Sequence, residues 1–272
     1  MLALPALALV GAALGSCGED APVSATPVAP RRFGYGDDPS QFGELHLPAG
    51  TPRGVVVVIH GGFWRAAYDL TLGTPLAAGL AAEGWAAWNL EYRRVGGGPG
   101  GGGGVPATLD DVAAGINRLR DLGLDLATVL TLGHSAGGHL AAWAASRGRS
   151  ERWRGGVDVT GVVSQAGVLD LRSAHAAGLG DGAVAAFLGH PPTAADAAAD
   201  PAQQVPLDVP LVCVHGRDDT IVPLDQSEGY VARATAAGAS ARLVPVDGDH
   251  FTVVDTGSAA WATTLGVLAD LA

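Results

Sequence analysis

The chain has 272 residues, an apolar content of 48% and a formal charge of −11, so it is long and apolar enough for one large α/β domain. The acidic balance argues against a nucleic-acid partner, because a negative surface and phosphates repel each other. All 16 basic residues are arginine, which excludes lysine nucleophiles, and no Cys-x-x-Cys or His-x-x-x-His spacing indicates a metal site.

The first 17 residues are apolar and small, with the length of a signal-sequence core, and they are too short for a stable membrane span. They end in LGSC, which resembles the bacterial lipobox, where the cysteine is lipidated and becomes the mature N-terminus. We therefore expect a lipoprotein signal at 1–17 and a lipidated Cys17 at the outer face of a bacterial membrane. A flexible tether is expected at 18–32. No arginine precedes the apolar run, so a secreted or a cytoplasmic protein remains the alternative.

The catalytic domain is predicted at 33–272 and opens with an antiparallel hairpin or edge strands between residues 33 and 48. Apolar, often β-branched runs predict strands at 55–59, 85–92, 129–132, 160–165, 209–214 and 241–246. Of these, 55–59, 129–132 and 160–165 are expected to be buried in the sheet. Helical spacing predicts helices at 72–82, at 109–122, after residue 135 and at the C-terminus. This alternation predicts an α/β fold, with a mostly parallel central sheet covered by helices on both faces.

Two segments interrupt the alternation of strands and helices. Residues 96–104 comprise eight glycines and one proline. They lack the Gly-Lys-Ser/Thr of a phosphate loop, so we expect a mobile surface loop near the pocket mouth. Residues 171–206 are rich in alanine and glycine, and we expect a small insertion there that covers the site.

The sequence GHSAG at 133–137 lies between a predicted strand and a predicted helix. In that context G-x-S-x-G forms a sharp turn that exposes a nucleophilic serine, and the helix N-terminus faces whatever the serine attacks. In a chain with 41 glycines a plain glycine turn is the alternative. We predict that Ser135 is the nucleophile.

A serine hydroxyl needs a neighbouring base, and the base works best when a carboxylate orients it. Of the eight histidines, His250 alone stands in a short polar loop after the final strand and downstream of a strand-end carboxylate. We predict that it is the general base. The spacing H-G-x-x-D-x-x-V-P at 215–223 favours Asp219 as the acid, with Asp218 and Asp170 as alternatives.

Two backbone amides must stabilise the oxyanion of an acyl-transfer intermediate. We assign one to Ala136, after the nucleophile, and the other to the turn at Gly62 and Phe63, after a buried strand. A tight strand exit without a catalytic role is the alternative for this turn. Phe63 and Trp64 belong either to the pocket wall or to the core, and we place Trp64 in the substrate pocket.

The motifs HGGFW, GHSAGG, HGRDDTIVP and GDHF occur in this order. Together they resemble the α/β-hydrolase superfamily, nearest the branch shared by hormone-sensitive-lipase-like esterases, feruloyl-esterase-like proteins and kynurenine formamidases. The resemblance covers the chain from about residue 34 to 272. It implies an α/β-hydrolase fold, a triad of Ser135, Asp219 and His250, and no cofactor or metal. The esterases usually show HGGG, whereas HGGFW is more similar to the formamidases.

These residues predict a serine hydrolase that cleaves carboxylic esters of small or medium substrates through an acyl-enzyme. An arylformamidase or a prolyl-oligopeptidase-like peptidase would use the same residues on an amide substrate. An inactive hydrolase-fold binding protein is the non-enzymatic alternative. The expected location favours the ester, because N-formylkynurenine arises in the cytoplasm and an exported enzyme would not meet it.

Overall fold

The computed structural model describes residues 29–272, so the predicted leader, Cys17 and most of the predicted tether lie outside the described residues. The first strand begins at Arg31, two residues before the predicted start of the domain. Arg31 and Arg32 pair with Leu45 and Glu44 of the next strand, and this pairing brings them into the sheet. None of the helices within 29–272 is both long and apolar enough to cross a membrane.

Within the described residues, eight strands form one sheet in the order β1-β2-β4-β3-β5-β6-β7-β8. The strands are β1 Arg31–Gly34, β2 Phe42–His46, β3 Val55–Ile59, β4 Ala86–Leu90, β5 Val129–His134, β6 Gly161–Gln165, β7 Leu211–Gly216 and β8 Ala241–Val246. The pairs β1–β2 and β2–β4 are antiparallel, and the other pairs are parallel. The predicted opening hairpin and the mostly parallel sheet are confirmed.

In the part of the chain that the structure describes, seven α-helices accompany the sheet: α1 Thr74–Ala82, α2 Ala107–Asn117, α3 Ala136–Ser146, α4 Leu171–Ala176, α5 Ala183–Leu188, α6 Asp225–Ala236 and α7 Ala259–Asp270. Successive residues of a strand point to opposite faces, and β3 is apolar on both. Val55, Val57 and Ile59 join the core under α2, α3 and α6, while Val56 and Val58 join the core under α1 and α7. The predicted helices on both faces are confirmed.

The segment at 171–206 forms the predicted insertion before β7, and none of its residues lines the cavity described below. Its buried side chains, among them Val184 and Phe187, pack into the larger core. The ring of Phe187 stacks on that of Trp64, with 4.6 Å between the centroids. The insertion therefore covers one end of the core, because that is where its apolar side chains are removed from water.

The glycine-rich segment at 96–104 forms backbone hydrogen bonds within itself and with Arg94. The Arg94 amide donates to the Gly100 carbonyl, and the Gly103 amide donates to the Arg94 carbonyl, both over 2.7 Å. Further backbone bonds join Gly101 to Gly98 and Gly102 to Gly96. The segment is thus a series of hydrogen-bonded turns around one arginine, and it does not line the cavity described below.

Candidate active site

Ser135 occupies a sharp turn between β5, which ends at His134, and α3, which begins at Ala136. Its φ of 57° and ψ of −119° lie outside the regions that residues with a side chain favour, so the turn holds the serine under strain. A side chain at Gly137 would overlap the carbonyl of Ile59, so the turn packs against β3 only with glycine there. The serine is placed as the motif predicts.

His250 and Asp219 form a buried pair on the loops that follow β8 and β7. The Nδ1 of His250 lies 2.6 Å from Oδ2 of Asp219. The other carboxylate oxygen, Oδ1, accepts the amides of Ile221 and Val222 over 2.9 and 2.8 Å. Burial alone would raise the pKa of Asp219, but hydrogen bonds from His215, His250 and the Val222 amide hold it well below its usual range. The carboxylate is therefore charged beside the imidazole.

The two alternative acids lie elsewhere. Asp218 is exposed to solvent. Asp170 caps α4 by accepting the Ser173 amide over 3.0 Å and pairs with Arg233 over 3.1 Å. Asp219 is accordingly the one of the three candidates that contacts His250.

Two histidines outside the predicted triad support the pair of His250 and Asp219. The Nε2 of His215 lies 3.2 Å from Oδ2 of Asp219 and 2.9 Å from the Val222 carbonyl, while its Nδ1 lies 2.7 Å from the Ser227 hydroxyl. The Nε2 of His134 lies 2.8 Å from the carbonyl of His250, and burial lowers the pKa of His134 to about 3. A neutral His134 can donate to that carbonyl and so fix the loop that carries His250.

The turn after β3 has an unusual backbone. Gly62, Phe63 and Trp64 have φ values of 104°, 53° and 56°, and the Arg65 amide closes the turn on the Gly62 carbonyl over 3.0 Å. Within residues 29–272, the amides of Gly62, Phe63 and Ala136 donate no hydrogen bond to another group of the protein. Such strained turns occur at functional sites, and these three amides are the donors assigned to the oxyanion.

Trp64 lies in the core, so its placement in the substrate pocket is wrong. It is fully buried, its indole Nε1 donates to Nδ1 of His139 over 3.3 Å, and its ring stacks on Phe187. Its side chain therefore packs against α3 and α5 and does not line the cavity. Phe63, its neighbour, does line the cavity.

Ser135, His250 and the Gly62–Phe63 turn line one cavity of about 260 Å³. The segment before α1 also supplies Tyr68, Leu72 and Gly73, and α1 supplies Leu76. The remaining lining residues are Val58, Ile59, His60, Gly61, His134, Ile221, Phe251 and Val254. None of these described lining residues is an arginine, aspartate or glutamate, and none belongs to the insertion at 171–206.

The mouth of this cavity is apolar. Three large hydrophobic side chains within residues 29–272 are exposed, namely Tyr68 at 43%, Leu72 at 50% and Phe251 at 59%. All three line the cavity. Exposed apolar groups gathered at one place mark a binding surface.

The sheet order, the strained serine turn and the acid–base pair on the two following loops define the α/β-hydrolase fold. The BD-FAE family model matches residues 44–233, so the chain belongs to the BD-FAE family. It is 27% identical over 238 residues to the esterase LipC of Mycobacterium tuberculosis, covering 77% of this chain and 56% of that protein. The chain thus spans about half the length of that curated relative.

Solved structures share the fold. Esterase B from Lactobacillus rhamnosis, inhibited by a tributyrin phosphonate, has a TM-score of 0.76 at 23% identity, covering 92% of this chain and 87% of its own. A truncated carbohydrate esterase from gut microbiota has a TM-score of 0.75 at 21% identity, covering 92% and 98%. Thermogutta terrifontis esterase 2 has a TM-score of 0.69 at 20% identity, covering 89% and 92%.

Proposed function

We propose that this protein hydrolyses carboxylic esters through an acyl-enzyme on Ser135. The proposal rests on one observation. Ser135 and His250 line the same apolar cavity, and a carboxylate oxygen of the charged Asp219 lies 2.6 Å from a ring nitrogen of His250. The names of the relatives support the same chemistry, because LipC and the similar solved structures are esterases.

In this reaction the Ser135 hydroxyl attacks the ester carbonyl while His250 takes its proton. Asp219 stabilises the resulting imidazolium and fixes the orientation of the ring. The amides of Gly62 or Phe63 and of Ala136 stabilise the oxyanion. His250 then gives its proton to the departing alkoxide, and water hydrolyses the acyl-enzyme by the same steps in reverse order.

The lining of the cavity favours an uncharged acyl group. Binding a carboxylate or an ammonium group there would bury a charge without a partner, at a cost of several kcal/mol. A volume of 260 Å³ holds about nine water-sized groups, hence about nine methylenes, at about 30 Å³ each. Small and medium acyl chains fit within this limit.

The arylformamidase alternative is favoured by one observation, the HGGFW motif. Its tryptophan, Trp64, is in the core and does not meet the substrate. The amino-acid head group of N-formylkynurenine carries two charges, and the described cavity lining has no arginine or acidic side chain to pair with them. We therefore expect kcat/KM for esters to exceed that for N-formylkynurenine.

The test is a kinetic panel with the purified domain, residues 29–272. It comprises p-nitrophenyl esters of increasing chain length, N-formylkynurenine and a proline-containing peptide. A fluorophosphonate probe should label the wild type once, and Ser135→Ala should lose both the label and the activity while keeping its Tm. Equal labelling of the alanine variant would refute the nucleophile, and a tenfold preference for the formamide, about 1.4 kcal/mol, would overturn the choice of substrate.

For the location, the proposal is a lipid anchor on Cys17. The LGSC motif supports it, and a diacylglyceryl cysteine carries enough acyl chains for stable attachment. Mass spectrometry of the native N-terminus should find a lipidated Cys17 in the membrane fraction. An intact Met1, or a free terminus beyond residue 17 in the soluble fraction, would contradict the anchor.

A further inference from the structure

Glu91 is a buried carboxylate that the proposed reaction does not use. It follows β4, and its Oε2 accepts the amide of Leu70 over 3.0 Å. Leu70 lies between Tyr68 and Leu72, which line the cavity. The other oxygen, Oε1, accepts the amide of Tyr92 over 2.9 Å. Glu91 thus joins the end of β4 to the apolar wall of the cavity.

The residues after Glu91 hold the Gly62–Phe63 turn from both sides. Before the turn, the Tyr92 hydroxyl donates to the carbonyl of His60 over 2.7 Å, and the two rings stack with 4.4 Å between centroids. After the turn, the Val95 amide donates to the carbonyl of Trp64 over 2.7 Å. The segment 91–95 therefore fixes both ends of the turn that supplies the oxyanion donors.

The glycine-rich segment at 96–104 completes this arrangement by burying a counter-ion. Arg94 forms an ion pair with Oε1 of Glu91, and both side chains are 4% exposed. The backbone of the segment binds the Arg94 amide and carbonyl, and a side chain at Gly100 would overlap the guanidinium. A chain with side chains at this point could not close so tightly over Arg94.

We propose that Glu91 is a positioning residue for ester hydrolysis, because it holds the Gly62–Phe63 turn and the cavity wall in a fixed relative position. The glycine-rich segment at 96–104 contributes to this role by enclosing Arg94. This inference rests on the proposed function. The buried carboxylate needs a buried cation, because an unpaired charge there would be expelled or neutralised. The Glu91–Arg94 ion pair keeps the Gly62–Phe63 turn and the cavity wall at a fixed distance from each other.

The test compares Glu91→Gln with Asp200→Asn, a control at a buried carboxylate in the insertion at 171–206. Like Glu91, Asp200 accepts backbone amides, those of Leu171 and Ala202 over 3.2 and 3.3 Å, but its hydrogen bonds reach neither the segment 91–95 nor the cavity lining. Both variants should lower Tm. Only Glu91→Gln should lower kcat for a p-nitrophenyl ester, by about tenfold to hundredfold as for a misplaced catalytic group, with KM within about twofold.

Labelling by a fluorophosphonate gives a second readout, because the phosphonyl oxygen needs the same donors as the oxyanion. Glu91→Gln should label Ser135 more slowly than Asp200→Asn does. Equal kcat and equal labelling rates in the two variants would overturn the inference while leaving the proposed function in place. A wild type that neither labels nor hydrolyses esters would instead refute the proposed function.

Arg94 keeps the inference testable if Glu91→Gln does not fold. Arg94→Lys retains a cation for Glu91 and should keep most of the wild-type kcat, whereas Arg94→Met leaves the carboxylate unpaired and should lose kcat. If the lysine and methionine variants have the same kcat, the charge on residue 94 does not position the site, and the inference fails.

Discussion

A buried histidine makes the stability of this protein depend on pH. His139 lies on α3, where its Nδ1 accepts the indole N–H of Trp64 over 3.3 Å and its Nε2 lies 2.8 Å from the carbonyl of Ala199. A neutral ring with hydrogen on Nε2 satisfies both contacts. Protonation would remove the acceptor at Nδ1 and bury a charge, and burial accordingly lowers the pKa of His139 to about 4.

The magnitude follows from linkage. In the unfolded chain a histidine has a pKa of about 6.5. As the pH falls, the unfolded state therefore binds a proton at this ring before the folded state does. The contribution of His139 to stability is complete above that pKa and is lost as the pH falls towards about 4. Between pH 7 and pH 5 the loss is about 2 kcal/mol, because each factor of ten in proton affinity is about 1.4 kcal/mol.

The perturbation that isolates this term is His139→Gln, measured by urea unfolding and tryptophan fluorescence at pH 7, 6 and 5. The variant lacks the titrating ring, so its stability deficit relative to wild type should shrink by about 2 kcal/mol between pH 7 and pH 5. Thr131→Val is the control, because it removes a buried hydrogen bond to Ala141 that does not titrate. A deficit of His139→Gln that stays constant with pH would refute the reasoning.

Three further predictions concern the site and the core. Asp219→Asn should lower kcat by about three to four orders of magnitude, whereas Asp218→Asn, at an exposed position, should change it little; the reverse result would assign the acid to Asp218. Cys213, whose pKa burial raises to about 12, should react with thiol reagents only on unfolding, and fast reaction of the native domain would contradict its burial. Leu76→Trp should fill the cavity and shift the preference towards shorter acyl chains while sparing acetate esters, and an unchanged chain-length profile would place the acyl group elsewhere.

The strands could be predicted from the sequence because their signal is local. Val55–Ile59 and Ala241–Val246 match the predicted runs residue for residue, and the other parallel strands differ from the prediction by one or two residues at one or both ends. Val55–Ile59 is buried on both faces and apolar at every position, so its bounds appear directly in the sequence. Helix bounds agree less closely. The helix α2 ends at Asn117 rather than at the predicted residue 122, because the chain continues after Asn117 as a 3₁₀ turn.

The serine turn and the acid–base pair were also accessible from the sequence, because short motifs encode their turns. His215 could have been found in the same way, since it stands four residues before Asp219 in the H-G-x-x-D spacing. Its contact with Asp219 arises because the loop after β7 folds back onto the strand end.

The cavity wall and the Glu91 cluster could not be read from the sequence. Leu72 and Leu76 face the serine because α1 packs across β3, and no local pattern encodes that crossing. Trp64 shows the same limit, because Phe63 and Trp64 both have a positive φ, yet Phe63 lines the cavity and Trp64 lies in the core. Whether an aromatic residue beside a catalytic turn meets substrate or core is decided by tertiary packing.

The division of the cavity between two parts of the chain has a consequence for how specificity can change. The reacting groups follow the ends of strands of the sheet. The apolar wall is one continuous segment, residues 68–76, which lies outside the sheet. Exchanging that segment would alter which acids are accepted without moving the nucleophile or its base. No residue of the insertion at 171–206 lines the cavity, so the sequence of that insertion could change without replacing a residue of the cavity wall.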